Sequence, residues 1–257
     1  MQNGAQNGHP VRVSVDRERF ILTRERVLSE SPARVGIGTL GEKPLHRILK
    51  YYFEPSGEYH EVKYGGFVAD IMRDGKITEI QTAGLYKLRE KLGRYLLDCD
   101  VTVVCPIAKE KRIHLAGVDG KESKPRISPK RECVLDALSM MLGYEDLIKS
   151  GRLTVLCVGL AVDEYRESAP RGKYRPRAYV KTNEIPSELL EITEFKTEED
   201  YLSALPPELS ERFTVKELAK IMKRKGRYAQ NVITLLVRLG VLDRVGKIGR
   251  AYIYSKI

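Results

Sequence analysis

The chain has 257 residues, of which 42% are hydrophobic and 31% charged, so it is long and apolar enough to bury a sizeable core and is not disordered throughout. Its net charge of +10 favours a polyanionic partner. No stretch reads as a membrane span or a secretory signal, and the expectation is a cytoplasmic protein with no membrane partner.

Residues 1–35 read as an N-terminal extension, partly disordered, because Met1 to Gly8 is polar and turn-rich. Val11 to Ala33 shows no assignable pattern. From Glu42 to Tyr52 the apolar spacing of Leu45, Ile48, Leu49 and Tyr52 predicts a helix, with Pro44 tolerated in its first turn.

Tyr59 to Tyr64, Phe67 to Arg73 and Lys76 to Gln81 read as three strands in a meander, joined by Gly65-Gly66 and Asp74-Gly75 turns. Two-residue turns set Tyr64 opposite Phe67, Lys63 opposite Val68, Glu61 opposite Asp70, Ile71 opposite Thr78 and Asp70 opposite Glu79. Side chains alternate across a strand. Glu61, Asp70 and Glu79 are therefore expected in one row on one face, with Lys63, Val68 and Gln81 beside it. Directly opposed carboxylates ~5 Å apart repel unless a cation lies between them. Mg²⁺ or Mn²⁺ is the expected resolution, against the alternative of three separately solvated charges.

Leu85 to Leu96 predicts an amphipathic helix with Lys87, Arg89, Lys91 and Arg94 on its polar face. Asp100 to Pro106 reads as a buried strand ending at the proline, parallel to the Glu79 strand. Lys109 to Arg131 reads as a basic hairpin or loop, Glu132 to Ile148 as a helix and Leu153 to Val162 as another buried strand. Arg166 to Arg177 reads as a loop rich in Arg, Gly and Pro. Cys99, Cys105, Cys133 and Cys157 show no CxxC spacing and read as free thiols of a reducing compartment. His9, His46, His60 and His114 are dispersed, with no metal or triad spacing.

A shift to acidic composition, Lys181 to Glu208, reads as a linker plus an opening helix stopped by Pro206-Pro207. Thr214 and Glu217 form a capping box ahead of a helix to Met222. A second helix, Arg227 to Leu239, stops at Gly240. Two short strands follow, around Leu242 to Val245 and Arg250 to Tyr254, about a turn from Gly246 to Gly249. Twelve Lys and Arg stand against three acids from Glu211 onward. Ala229, Val232, Ile233, Leu236 and Leu239 suit a core. Arg227, Gln230, Asn231, Thr234 and Arg238 share another face that could reach bases or phosphates, and Lys247 and Arg250 suit the backbone. The alternative is a solvated face used for protein contacts.

These features carry two resemblances. The stretch from about Thr39 to Pro106, within an expected domain of residues 36–180, resembles the PD-(D/E)XK, restriction-endonuclease-like superfamily, on Glu42, Asp70 and Glu79-Ile80-Gln81. The resemblance implies an α/β fold, a mixed sheet flanked by helices. It further implies Mg²⁺ held by Asp70, Glu79 and the Ile80 carbonyl, with Glu42 of the first helix completing the site. Gln81 stands where the superfamily has lysine, as in some of its branches. Glutamine can hydrogen-bond a water but brings no charge, so a cation from Lys63 or Lys87 is expected to replace it. Residues 209–257 resemble winged helix-turn-helix DNA-binding domains. The whole chain is also similar to a family of uncharacterised bacterial proteins, which implies no assigned activity. The expectation is Mg²⁺-dependent hydrolysis of DNA by a nucleoid-associated protein, with RNA as the other substrate and a homodimer compatible with the sequence. The competing expectation is a non-catalytic, DNA-binding regulator with a degenerate nuclease-like domain.

Overall fold

The computed structural model describes residues 11–30, 43–82, 88–116, 123–168 and 179–257. In chain order the elements are β1 (Val11–Val13), α1 (Arg17–Glu30), α2 (Pro44–Phe53), β2 (His60–Tyr64), β3 (Phe67–Arg73), β4 (Lys76–Ile80), α3 (Arg89–Tyr95), β5 (Asp100–Ala116), β6 (Arg126–Ile127), α4 (Val134–Leu138), α5 (Glu145–Ile148), β7 (Leu153–Ser168), β8 (Tyr179–Phe195), α6 (Glu198–Ser203), β9 (Arg212–Phe213), α7 (Val215–Met222), α8 (Gly226–Leu239), β10 (Leu242–Ile248) and β11 (Ala251–Lys256).

The fold is α/β. A large mixed sheet runs in the order β1-β8-β7-β5-β4-β3-β2, with β6 against β5. β4, β5 and β7 are parallel and the other pairs antiparallel. The two hairpins have the register their turns dictate: Tyr64 faces Phe67, Lys63 faces Val68, Arg73 faces Lys76 and Ile71 faces Thr78. Gly65, Gly66, Asp74 and Gly75 all take positive φ, as tight hairpin turns of this hand demand.

Several boundaries differ from expectation. The unassigned N-terminal stretch makes β1 and α1, whose Phe20, Thr23 and Val27 are buried at helical spacing. β5 continues ten residues beyond Pro106. Val104 O accepts from Gln81 N, so residues 104 and 106 both face β4, and β4 has ended by that point. Pro106 therefore withholds a donor that no neighbour needs. The expected helix from Glu132 to Ile148 breaks into α4 and α5, with Gly143 at φ 96 between them. Arg166 belongs to β7 and pairs with Glu164, while residues 169–178 of the expected basic loop lie outside the described residues.

The acidic segment is the largest correction. Residues 181–195 are most of β8, inside the main sheet between β7 and β1. Leu189, Ile192 and Phe195 of β8 are buried. Its acids occupy the other positions, where Glu184 meets Lys111 and Lys181 and Glu191 meets Lys109. Charge content suggested a linker; period and pairing make a strand.

Two layers cover the sheet. α1 and α2 close one face through Phe20, Val27, Ile48, Leu49 and Tyr52. α3, α4 and α5 close the other through Leu92, Tyr95, Leu138, Met141 and Ile148. That second core continues without a break into Phe213, Leu218, Val232 and Leu236 of the C-terminal unit. There β9, α7, α8, β10 and β11 follow α6, and a small sheet runs in the order β10-β11-β9. The Thr214–Glu217 capping box is formed, and Gly240 ends α8 at φ 87. The turn between β10 and β11 is Gly249-Arg250, because a bulge at Val245 moves the pairing to Ile248 opposite Ala251.

One shared core implies one cooperative unit. Leu138→Ala, at a fully buried position, is expected to cost about 2–5 kcal/mol and to lower the midpoint of a single calorimetric transition. Two separated transitions would contradict the shared core.

Candidate functional site

The site begins where β3 and β4 part. Their pairing runs from Arg73–Lys76 to Ile71–Thr78. One step further the carboxylates take over backbone hydrogen bonding. Ile80 N–H donates to Asp70 Oδ2 at 2.7 Å, and Asp70 N–H donates to Glu79 Oε1 at 3.3 Å. Each acid satisfies a backbone donor that the opening ladder leaves exposed.

Two helices supply what sequence reasoning missed. Lys91 of α3 places Nζ 2.5 Å from Glu79 Oε2. His46 of α2 places Nε2 3.1 Å from Asp70 Oδ2. Lys91 lies one turn beyond Lys87 and His46 one turn beyond Glu42, so helical period was the signal available. Glu42 and Lys87 themselves lie outside the described residues. Tyr95, one turn beyond Lys91, is fully buried and within electrostatic reach of both carboxylates. Its hydroxyl has no hydrogen-bond partner among the described residues.

The acid row of three does not form. Glu61 keeps its register between Val62–Ala69 and His60–Ile71, but its φ of 53 breaks the regular alternation of β2. Its carboxylate pairs with Lys50 Nζ at 2.5 Å. Lys50 is a buried amine in α2 that requires an anion, which accounts for the diversion. Lys63 is exposed on the edge strand and does not fill the lysine position. Among the described residues, no three His, Cys, Asp or Glu side chains converge as a ready-made metal cluster.

Electrostatics separate the two remaining acids. Burial, then the charge of Asp70, push the Glu79 carboxyl up to about 7 against the pull of Lys91. For Asp70, burial acts upward too, but the hydrogen bond and charge of His46, the Ile80 N–H and Lys91 hold its carboxyl below the usual range. Two carboxyl groups thus share one pocket with the Lys91 amine and the His46 imidazole. Together with the unpartnered Tyr95 hydroxyl, that donor set fits a hard divalent cation and its waters. Asp70, Glu79 and the Ile80 carbonyl are the groups that would hold such an ion.

Gln81 follows Glu79 by two residues and lines a cleft of about 580 Å³. The far wall is the α7–α8 turn and the start of α8, with Lys223, Lys225, Arg227 and Tyr228; Lys130 closes one side. Of the α8 residues expected to reach a ligand, Arg227 and Gln230 are exposed and Thr234 is half-buried, with Gln230 Nε2 donating to Thr234 Oγ1. Asn231 is half-buried, and Arg238 stays exposed but paired. Asn231 Nδ2 donates to Ser139 O, and Arg238 pairs with Glu145, because this side of α8 packs on α4 and α5. Leu235, absent from the expected core, is fully buried. Arg224 completes the docking with a two-pronged bond to Asp136, at 2.6 and 2.7 Å. Lys247 stands over the Tyr252 ring at 4.6 Å, with Arg250 at the hairpin tip.

Residues 43–196, from α2 to the end of β8, match the family described as Domain of unknown function (DUF8091). The chain belongs to that family. It is also 30% identical over 224 residues to a protein of Treponema pallidum (strain Nichols) described as an uncharacterized protein, covering 86% of this chain and 87% of the other. No solved structure matches. Among the described residues no helix is long and apolar enough to cross a membrane.

The raised Glu79 carboxyl sets a pH dependence of stability. Its folded value, about 7, exceeds the ordinary 4.5, so folding favours the protonated form. Stability from this group is full below the ordinary value and is lost as pH rises toward the folded one. Glu79→Gln removes that loss. It is expected to raise stability on the order of 1–3 kcal/mol near pH 8 and much less near pH 5, read as thermal midpoints in metal-free buffer. An increment independent of pH would refute the assignment.

Proposed function

We propose that the chain is a Mg²⁺- or Mn²⁺-dependent nuclease of the restriction-endonuclease-like type that hydrolyses phosphodiester bonds in DNA. The observation that carries this reading is the trio Asp70, Glu79 and Lys91, with the lysine amine 2.5 Å from Glu79. The superfamily resemblance asks for a lysine two residues after the glutamate; here Gln81 holds that position and α3 brings the amine instead. The strand pattern is in keeping: antiparallel β3 carries the aspartate, and β4, parallel to β5, carries the glutamate.

The residues divide the work as follows. The bound cation would polarise the scissile phosphate and lower the pKa of a water. Lys91 supplies positive charge where the attacking water and the pentacovalent phosphorus develop negative charge. Gln81 would orient the water by a neutral hydrogen bond. His46 fixes the Asp70 carboxylate, and Tyr95 offers a protonated donor within the same pocket.

The C-terminal unit is read as a winged helix, supported by the order α6, β9, α7, α8, β10, β11 and by β9 pairing with β11. The α7–α8 turn and the hairpin tip supply backbone contacts, and α8 is largely engaged with α4 and α5. A non-catalytic regulator is the second reading. Closure favours it, since Glu79 is only 3% exposed behind Lys91.

Cleavage of plasmid and oligonucleotide DNA with Mg²⁺ or Mn²⁺ tests the proposal. Asp70→Ala and Glu79→Ala are expected to reduce the rate by about 10³-fold or more, and Lys91→Ala by about 10²-fold, with partial recovery in Lys91→Arg. Cleavage indifferent to Asp70→Ala and Glu79→Ala would reject the site. DNA binding without cleavage under any divalent ion would favour the regulator.

A further inference from the structure

The cleft beside Gln81 is one end of a longer trough. A second groove, about 1300 Å³, shares Lys130, Glu132, Lys223 and Arg224 with it, and continues past Arg131 to Lys256. The cations along this path are mostly uncommitted: Lys130, Arg131, Lys223, Lys225, Arg227 and Lys256 make no ion pair among the described residues. The two acids on the path are already engaged. Glu132 accepts from Ala108 N–H and Asp136 clamps Arg224. With Asp136 paired and Glu132 the one remaining acid among the described residues of the path, a phosphate chain would meet a net excess of positive charge along the trough.

The shape of the trough limits what can enter. Its floor beside Gln81 is apolar, with Pro106, Ile107 and Met140, and Tyr228 flanks it with the Arg227 guanidinium 5.0 Å over its ring. A half-exposed aromatic among cations is a stacking platform for unpaired bases. Helix α8, which would have to enter a major groove, is held on α4 and α5 by Asn231, Leu235 and Arg238. The carboxylates are recessed as well, so a thin chain reaches them more readily than a duplex. Lys223 adds a further sign. It takes φ 52 at the end of α7, a conformation that usually falls to glycine or asparagine. Lys223 lines both grooves.

We infer that this trough binds a single polynucleotide strand, through its phosphates at Lys130, Lys223 and Lys225 and through base stacking on Tyr228, and leads that strand to Gln81. The inference deepens the nuclease reading and rests on it for the direction of travel, though not for binding itself.

Fluorescence anisotropy on the full chain in EDTA tests it, with labelled oligothymidylate, labelled oligouridylate and a duplex, each about twelve nucleotides long. Single strands are expected to bind at least about tenfold tighter than the duplex. The double variant Lys223→Glu/Lys225→Glu is expected to weaken single-strand binding by at least about tenfold and to flatten its salt dependence. Tyr228→Ala is expected to weaken it by about 5- to 100-fold, with Tyr228→Phe near wild type. Circular dichroism melts verify folding; if Tyr228→Ala fails to fold, the lysine double variant decides. The thymidylate and uridylate arms separate DNA from RNA. Duplex bound as tightly as single strand, or single-strand binding unmoved by the lysine double variant, would overturn the inference. Tight single-strand binding with no metal-dependent cleavage would keep the trough and reject the nuclease. Cleavage with Mg²⁺ that the trough variants leave unchanged would do the reverse.

Discussion

Two carboxylates held together at a gap between strands are the constraint around which the neighbouring elements are arranged. At the end of the β3–β4 ladder, Asp70 and Glu79 exchange their side chains for the missing main-chain partners. That arrangement fixes both acids without any external ligand, and it brings like charges together in a partly dry place. Every neighbouring feature answers that repulsion. Lys91 pairs with one acid, His46 anchors the other, and burial, then the charge of Asp70, raises the Glu79 carboxyl. The geometry is therefore stable as a scaffold and unsatisfied as a charge distribution.

The hairpins that create the gap were legible in the sequence. Gly65-Gly66 and Asp74-Gly75 permit few backbone solutions, and a period of two then assigns every facing pair. Helix α2, the capping box at Thr214 and the stop at Gly240 were legible for the same local reasons. What was not legible is what arrives from elsewhere in the chain. No local rule says that Lys91 rather than Lys63 stands beside Glu79, because that depends on how α3 lies across the sheet. Glu61 was misplaced because its true partner, Lys50, is a buried cation on another element. The β8 segment was misread because its acids, which pair with Lys109, Lys111 and Lys181, dominate the composition while Leu189, Ile192 and Phe195 carry the fold.

The C-terminal unit shows the same lesson at larger scale. Its helices have the periodicity of a free-standing module, and charge alone made the exposed face of α8 look like a reading surface. The packing instead divides that face. Among the described residues, Arg227 and Gln230 remain outside and unattached to the sheet domain, while Asn231 bonds to Ser139 and Arg238, though exposed, pairs with Glu145. What sequence patterns describe as a polar helix face can equally be a polar interface, and only the partner decides.

The Arg224–Asp136 clamp and the unbroken core beneath it also constrain how such proteins diversify. A foreign tail grafted after β8 would strip cover from Leu138 and Met141 and leave Asp136 without its guanidinium. Replacing residues 196–257 alone would thus expose apolar surface and an unpaired carboxylate. New preferences must arise by substitutions along the seam, in both halves together, so that tail and sheet are inherited as one machine.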